Sequence, residues 1–225
     1  MSLTKGFIQT QAEAYRDAKV RIKPWAYYAQ EVVDQWKEID RPIELVDSAV
    51  SYLSPAHLRV DIKNGRPIKV WSGGTFDPTH PLAEVMRGRC SLAWRTHEYS
   101  VRTLVNMSVC HISRALHDYK VHNLLRFSFS PVDELRGALA SRSDFSKLAQ
   151  IAQWTDDVAM GCYYAHYGRW PEVQYPVVVK PDWDGLREYL DGKEGKEGNL
   201  ITGLFFTKKP GADHSKEEKN VETKS

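Results

Sequence analysis

The sequence predicts an α+β protein, predominantly α-helical with a small antiparallel β-hairpin. Trp25, Tyr28, Ala29, Val32, Trp36 and Ile39 recur at three- and four-residue steps, the spacing of one helical face. Leu58–Lys63 and Ile68–Trp71 flank Asn64-Gly65, a dipeptide suited to the positive-φ positions of a tight hairpin turn. Ser130-Pro131-Val132-Asp133-Glu134 begins with a capping residue, a first-turn proline and two acids, the signature of a helix start.

Taken in order, residues 9–19 read as a helix. A second begins at Pro24, where the missing N–H costs nothing, and Pro42 blocks its extension. A short helix is expected over 45–53, ending before Pro55, and then the hairpin. Residues 82–119 read as helical, with Val101, Leu104, Ile112, Leu116 and Tyr119 on one face and a break at Gly88. Further helices are expected from Ser130, over 143–167, and over 182–190, the last closed by Gly192. Residues 173–179 and 200–207 are apolar, strand-like runs. The predicted organisation is a helical segment over 1–56, a main helical domain with the hairpin over 57–190, and a linker, possible strand and charged C-terminal tail over 191–225.

The chain has 225 residues and a formal net charge of +2, so no global field draws it to nucleic acid or to anionic lipid. No run approaches the roughly 18 apolar residues of a membrane span. Residues 1–8 lack the apolar centre of a secretion signal. Cys90, Cys110 and Cys162 are widely spaced in helix-like surroundings and read as buried thiols. Arg87, Arg89, Arg95, Arg102 and Arg114, with Trp94 and Tyr99, scatter around the expected helix rather than forming one nucleic-acid face.

Three short stretches resemble known families. Pro24-Trp25-Ala26-Tyr27-Tyr28 through Val32 resembles the Trp-Ala-Tyr-Tyr stretch of mitochondrial ATP synthase subunit d, a helical peripheral-stalk protein. Gly73-Gly74-Thr75-Phe76-Asp77-Pro78-Thr79-His80 resembles the first motif of the nucleotidylyltransferases, but Pro81-Leu82-Ala83 replaces its second glycine and histidine. His117-Asp118 resembles the pair of the metal-dependent HD phosphohydrolases, with His97 and Asp157 as the partners that family would require. In one continuous helix His97 and His117 stand about 30 Å apart, so the sequence assigns no metal ligand, no cofactor and no catalytic residue.

The leading expectation is therefore a non-catalytic accessory subunit of a multiprotein assembly. Its most specific form is a mitochondrial respiratory-chain or ATP synthase subunit, with other protein subunits as partners; the cytoplasm is the alternative compartment. Trp25, Tyr28, Val32 and Trp36 are its candidate interaction residues, because aromatic side chains anchor interfaces. The alternatives are a small nucleotide-binding enzyme built on the Gly73-Gly74 turn, or a component of an organellar RNA–protein complex.

Overall fold

The computed structural model describes residues 3–39, 41–48, 50–86, 91–96, 99–104 and 107–192. Helix α1 (Leu3–Arg16) leads through strand β1 (Lys19–Val20) into α2 (Ile22–Ile39). β2 (Ile43–Val46), α3 (Pro55–Lys63) and β3 (Ile68–Trp71) follow, then a 3-10 turn at Pro81–Ala83 and β4 (Val85–Met86). β5 (Ser91–Thr96) and β6 (Tyr99–Leu104) precede β7 (Met107–Ser108) and α4 (Val109–His117). A π-helical turn over Asp118–Leu124 continues α4, and α5 (Pro131–Ser141) comes next. α6 (Ala149–Gln153), a second π-helical turn (Trp154–Ala159) and α7 (Met160–Tyr167) form one continuous rod. β8 (Val177–Val178) and α8 (Trp183–Asp191) complete the described chain. Among the described residues no helix is long and apolar enough to cross a membrane.

The protein is α+β and predominantly helical, and it contains a small antiparallel hairpin at β5–β6, with Ser91 opposite Leu104 and Thr96 opposite Tyr99. The hairpin expected around Asn64-Gly65 is instead a helix end. Ser54 caps α3 by accepting from the His57 N–H, and Pro55 takes the first turn. Leu58, Asp61 and Ile62 are buried at helical spacing. Asn64 is the C-cap, and Gly65 adopts φ 71° beyond it. Gly65 N–H then donates to Ile62 O at 3.1 Å and Arg66 N–H to Asp61 O at 2.9 Å, the paired bonds of a Schellman motif. Asn-Gly serves a left-handed helix end as well as a hairpin turn, and here the capped α3 makes it the former.

β3 therefore pairs elsewhere. It runs parallel to β2, with Ile43 opposite Ile68 and Val46 opposite Trp71. That overturns the expected helix over 45–53: Leu45 and Val46 belong to β2, and α3 is the crossover between the two strands. Val85–Met86, Ser91–Thr96, Tyr99–Leu104 and Met107–Ser108 are likewise strands where a helix was expected. Alternation in Leu92-Ala93-Trp94 and Tyr99-Ser100-Val101-Arg102-Thr103 outweighs the helical spacing of Val101 and Leu104. Helix begins only at Val109. The rod expected over 143–167 has its regular start at Ala149, after a 3-10 turn at Arg142–Asp144. The 173–179 run contributes only β8, which pairs antiparallel with β1. The expected strand at 200–207, the charged tail, Cys90, Arg87, Arg89 and His97 lie outside the described residues.

Two apolar clusters hold the elements. One gathers α2, α3, β2, β3, α4 and α6 around Trp25, Val32, Leu58, Ile68 and Ile112. The other gathers α1, α5, α7 and α8 around Trp154, Val158, Leu186 and Leu190. Trp154 is fully enclosed and meets Trp183 edge-on at 4.7 Å. The Trp25 stripe lies inside the first cluster: Trp25, Tyr28, Val32 and Trp36 are all buried by the chain itself. Trp25 Nε1 also donates to Val177 O at 2.6 Å, tying α2 to β8. Trp25→Ala removes this bond and opens a cavity, so it should cost about 3–5 kcal/mol. Urea denaturation checks this; an unchanged midpoint would show that Trp25 is not a core residue.

Candidate metal centre

His117 and His122 are five residues apart. On a regular α-helix, five steps of about 100° leave two side chains roughly 140° apart. The turn from Asp118 to Leu124 is π-helical. Its i→i+5 bonding widens the turn to about 4.4 residues, so five steps leave them only about 50° apart. The π turn thus brings both imidazoles to one side, with ring centroids 5.1 Å apart.

α5 brings the carboxylate that faces them. Ser130 accepts from the Asp133 N–H at 3.2 Å and Pro131 occupies the first turn, which fixes where the helix begins. Asp133 reaches back to the Ser128 N–H at 2.9 Å. Glu134, next in the chain, then faces the π turn. Gly137, one turn further on, permits the close approach: a Cβ there would lie 2.5 Å from Val121 Cγ1.

Glu134 bridges the two histidines. Its Oε2 lies 2.8 Å from His117 Nε2 and its Oε1 lies 3.3 Å from His122 Nε2. One donor atom from each of His117, His122 and Glu134 fits within a sphere of contacts no longer than 4.8 Å. Ligands held at about 2.0–2.1 Å from a single ion stand roughly 3 Å apart, so small adjustments admit one. The second bond of His122 fixes its chemistry: Nδ1 lies 3.1 Å from Phe127 O. A carbonyl only accepts, so Nδ1 carries a proton. Nε2 faces the Glu134 carboxylate, where it either donates an N–H or turns a lone pair toward a bound cation. His122 is almost completely buried, and Phe129 packs edge-on against its ring at 4.5 Å.

Three more acids surround the triad. Asp118 Oδ1 lies 3.9 Å from His122 Nε2. Burial pushes the Asp118 carboxyl up to about 6 and the Glu134 charge adds to this, while the charges of His117 and His122 oppose it. Asp156 and Asp157 sit on the second π turn, which packs against α5. Burial raises both, and their mutual repulsion raises Asp156 further; Arg114 and His117 restrain Asp156, and His117 restrains Asp157. For Glu134, burial acts upward but the charge and hydrogen bond of His117, with His122, outweigh it and bring the group down to about 2. For His117, burial acts downward, and Glu134, Asp157 and Asp118 outweigh it, raising the group to about 10. Four carboxyl groups thus surround two imidazoles, an environment that favours an added cation.

The glycine pair is tied to α4 through Arg114. Arg114, one turn before His117 on α4, donates through Nη1 to Trp71 O at 2.8 Å and Gly73 O at 2.7 Å. Gly74 adopts φ 120°, and a Cβ there would lie 2.9 Å from Arg114 Nη2. The pair therefore forms the seat of Arg114. His80 is buried, with its ring against Trp25 at 4.4 Å and Phe76 at 5.1 Å. Its Nδ1 accepts from the Leu82 N–H at 3.1 Å, and burial lowers the ring to about 4, so it is a neutral packing group. A three-residue 3-10 turn follows it. Cys110 and Cys162 are buried free thiols pushed up to about 12 by burial.

None of the sequence-stated interaction residues Trp25, Tyr28, Val32 and Trp36 joins this cluster; Tyr28 Oη instead meets Ser113 Oγ at 3.0 Å on the core side of α4. Of the residues named for the His-Asp resemblance, His117, Asp118 and Asp157 belong to it. His122, Glu134 and Asp156 are the members that sequence reasoning missed. No protein-family model, curated protein or solved structure matches the chain.

The raised His117 value has a measurable consequence in the metal-free protein. Its unfolded value is about 6.5. The His117–Glu134 pair contributes fully below that pH, and the contribution is lost as pH rises toward about 10. The melting temperature of the chelator-treated protein should therefore fall between pH 7 and 10 more steeply than that of His117→Gln. Parallel curves for the two proteins would show that the pair is not charged.

Proposed function

We propose that the chain is a metal-dependent hydrolase, with one divalent transition-metal ion held by His117, His122 and Glu134. The observation that carries this is the convergence of donor atoms of His117, His122 and Glu134 within 4.8 Å of one another, with His122 Nδ1 turned away to Phe127 O. Two imidazoles and one carboxylate suit zinc, manganese, iron or cobalt better than calcium or magnesium, which prefer all-oxygen sites. The bound ion would acidify a coordinated water. Asp118, raised by burial to about 6 and 3.9 Å from His122 Nε2, would serve as the general base beside such an ion. Arg114 lends a positive charge that lowers both Asp118 and Asp156.

A phosphoester is the bond we favour, because the His117-Asp118 pair that resembles the HD phosphohydrolases lies inside this cluster. The ligand set proposed differs from that resemblance: His122 and Glu134 stand where an earlier histidine would be needed. The accessory-subunit reading, mitochondrial or otherwise, draws no support from Trp25, Tyr28, Val32 and Trp36, since the chain's own core encloses them. The nucleotide-turn reading likewise draws none from His80, whose ring is packed in that core.

Calorimetry of the chelator-treated protein with zinc, manganese or cobalt should give one site per chain. Glu134→Gln and His117→Ala should each weaken it by about 100-fold or more, in line with the loss of one ligand. Asp118→Asn should keep the ion but lower turnover of p-nitrophenyl phosphate or its diester by about 100-fold. Absence of saturable binding by all three ions would refute the metal centre. Binding without turnover of either ester would refute the hydrolase.

A further inference from the structure

A second feature lies beyond the metal centre. α3 and the exit of the first π turn border an open groove of about 460 Å³, lined by Arg41, Arg59, Lys63, Asn123 and Arg126 among others. We propose that this groove binds a small ligand carrying two or more phosphate groups.

Four cationic side chains meet here, and among the described residues none of them forms an ion pair. Asp61 of α3, between Arg59 and Lys63 in sequence, is taken by Arg66 at 3.1 Å and Lys69 at 3.3 Å. Like charges gathered without a counter-charge repel one another, and a polyanion between them removes that cost. Two of the four are also held in place. Arg41 Nη1 donates to Ile62 O at 3.1 Å, and Arg59 Nη1 donates to His122 O at 3.1 Å. Each guanidinium keeps further N–H groups in a fixed fork, the geometry that matches phosphate oxygens.

Arg126 supplies an independent observation. It is the single non-glycine residue with positive φ among those described, at φ 67°. It follows the π turn, where Leu125 N–H closes on Lys120 O at 3.0 Å. A left-handed residue past a helix end is ordinarily glycine. An arginine there retains backbone strain in exchange for a guanidinium at the groove. The volume suits a polyphosphate or nucleotide-sized ligand, which needs roughly 300–1,000 Å³. The inference does not depend on the metal centre.

The test uses the full chain in chelator, so that no metal-borne phosphate site contributes. Calorimetry with tripolyphosphate at low salt should show saturable binding with a Kd of about 1 mM or tighter, weakening several-fold when salt is raised from 50 to 300 mM. Arg126→Gly relieves the left-handed strain, so its melting temperature should be no lower than that of the parent. The same variant should nevertheless bind about tenfold more weakly, as should Lys63→Ala. No heat at 5 mM tripolyphosphate overturns the proposal, as does binding unchanged in both variants. Binding of a single-stranded oligonucleotide without any binding of tripolyphosphate also overturns it, in favour of a nucleic-acid surface.

Discussion

The carboxylate of Glu134 between His117 and His122 is the contact on which the rest of the site depends. It joins α5 to the π turn that ends α4, and it is the link between an acid-rich recess and two potential ligand nitrogens. Each element around it is placed so that this contact can form. Ser130 and Pro131 set where α5 starts, Gly137 lets it approach Val121, and Phe127 O sets the His122 tautomer. A buried carboxylate beside two buried imidazoles is stable only with a positive charge among them, on an imidazole or on a bound ion.

The two π turns have a common consequence. The first closes α4 and the second lies within the α6–α7 rod, and each carries residues of the site: Asp118 and His122 on the first, Asp156 and Asp157 on the second. A π turn sacrifices regular bonding and is frequently associated with function. The large apolar clusters on both sides, anchored by Trp25 and Trp154, supply the packing that holds such turns in place. The fold thus confines its irregular backbone to the region where side chains of opposite charge converge.

Local signals in the sequence were legible where one residue type has one structural use. Ser130-Pro131 marks the start of α5, Asp182 caps α8, and the Trp25 stripe marks the buried face of α2. Asn64-Gly65 was misleading because a left-handed glycine closes a helix as readily as it turns a hairpin. The parallel pairing of β2 with β3 joins residues 25 positions apart, a contact with no local signature. The His117–His122–Glu134 cluster was illegible for a similar reason. His117 and His122 occupy different faces of any regular helix, and only the widened turn brings them together. The Gly73-Gly74 motif drew attention as a phosphate cradle, whereas within this chain its close approach accommodates Arg114.

The central claim is that one ion binds between the imidazoles of the first π turn and Glu134. X-ray absorption at the zinc or cobalt edge tests it most directly, on the full chain loaded with one equivalent of metal. The account predicts a first shell of nitrogen and oxygen at about 2.0–2.1 Å. Its outer-shell scattering should correspond to two imidazoles, falling to one in His117→Ala. A shell of oxygen alone, or a spectrum unchanged by that substitution, would contradict it.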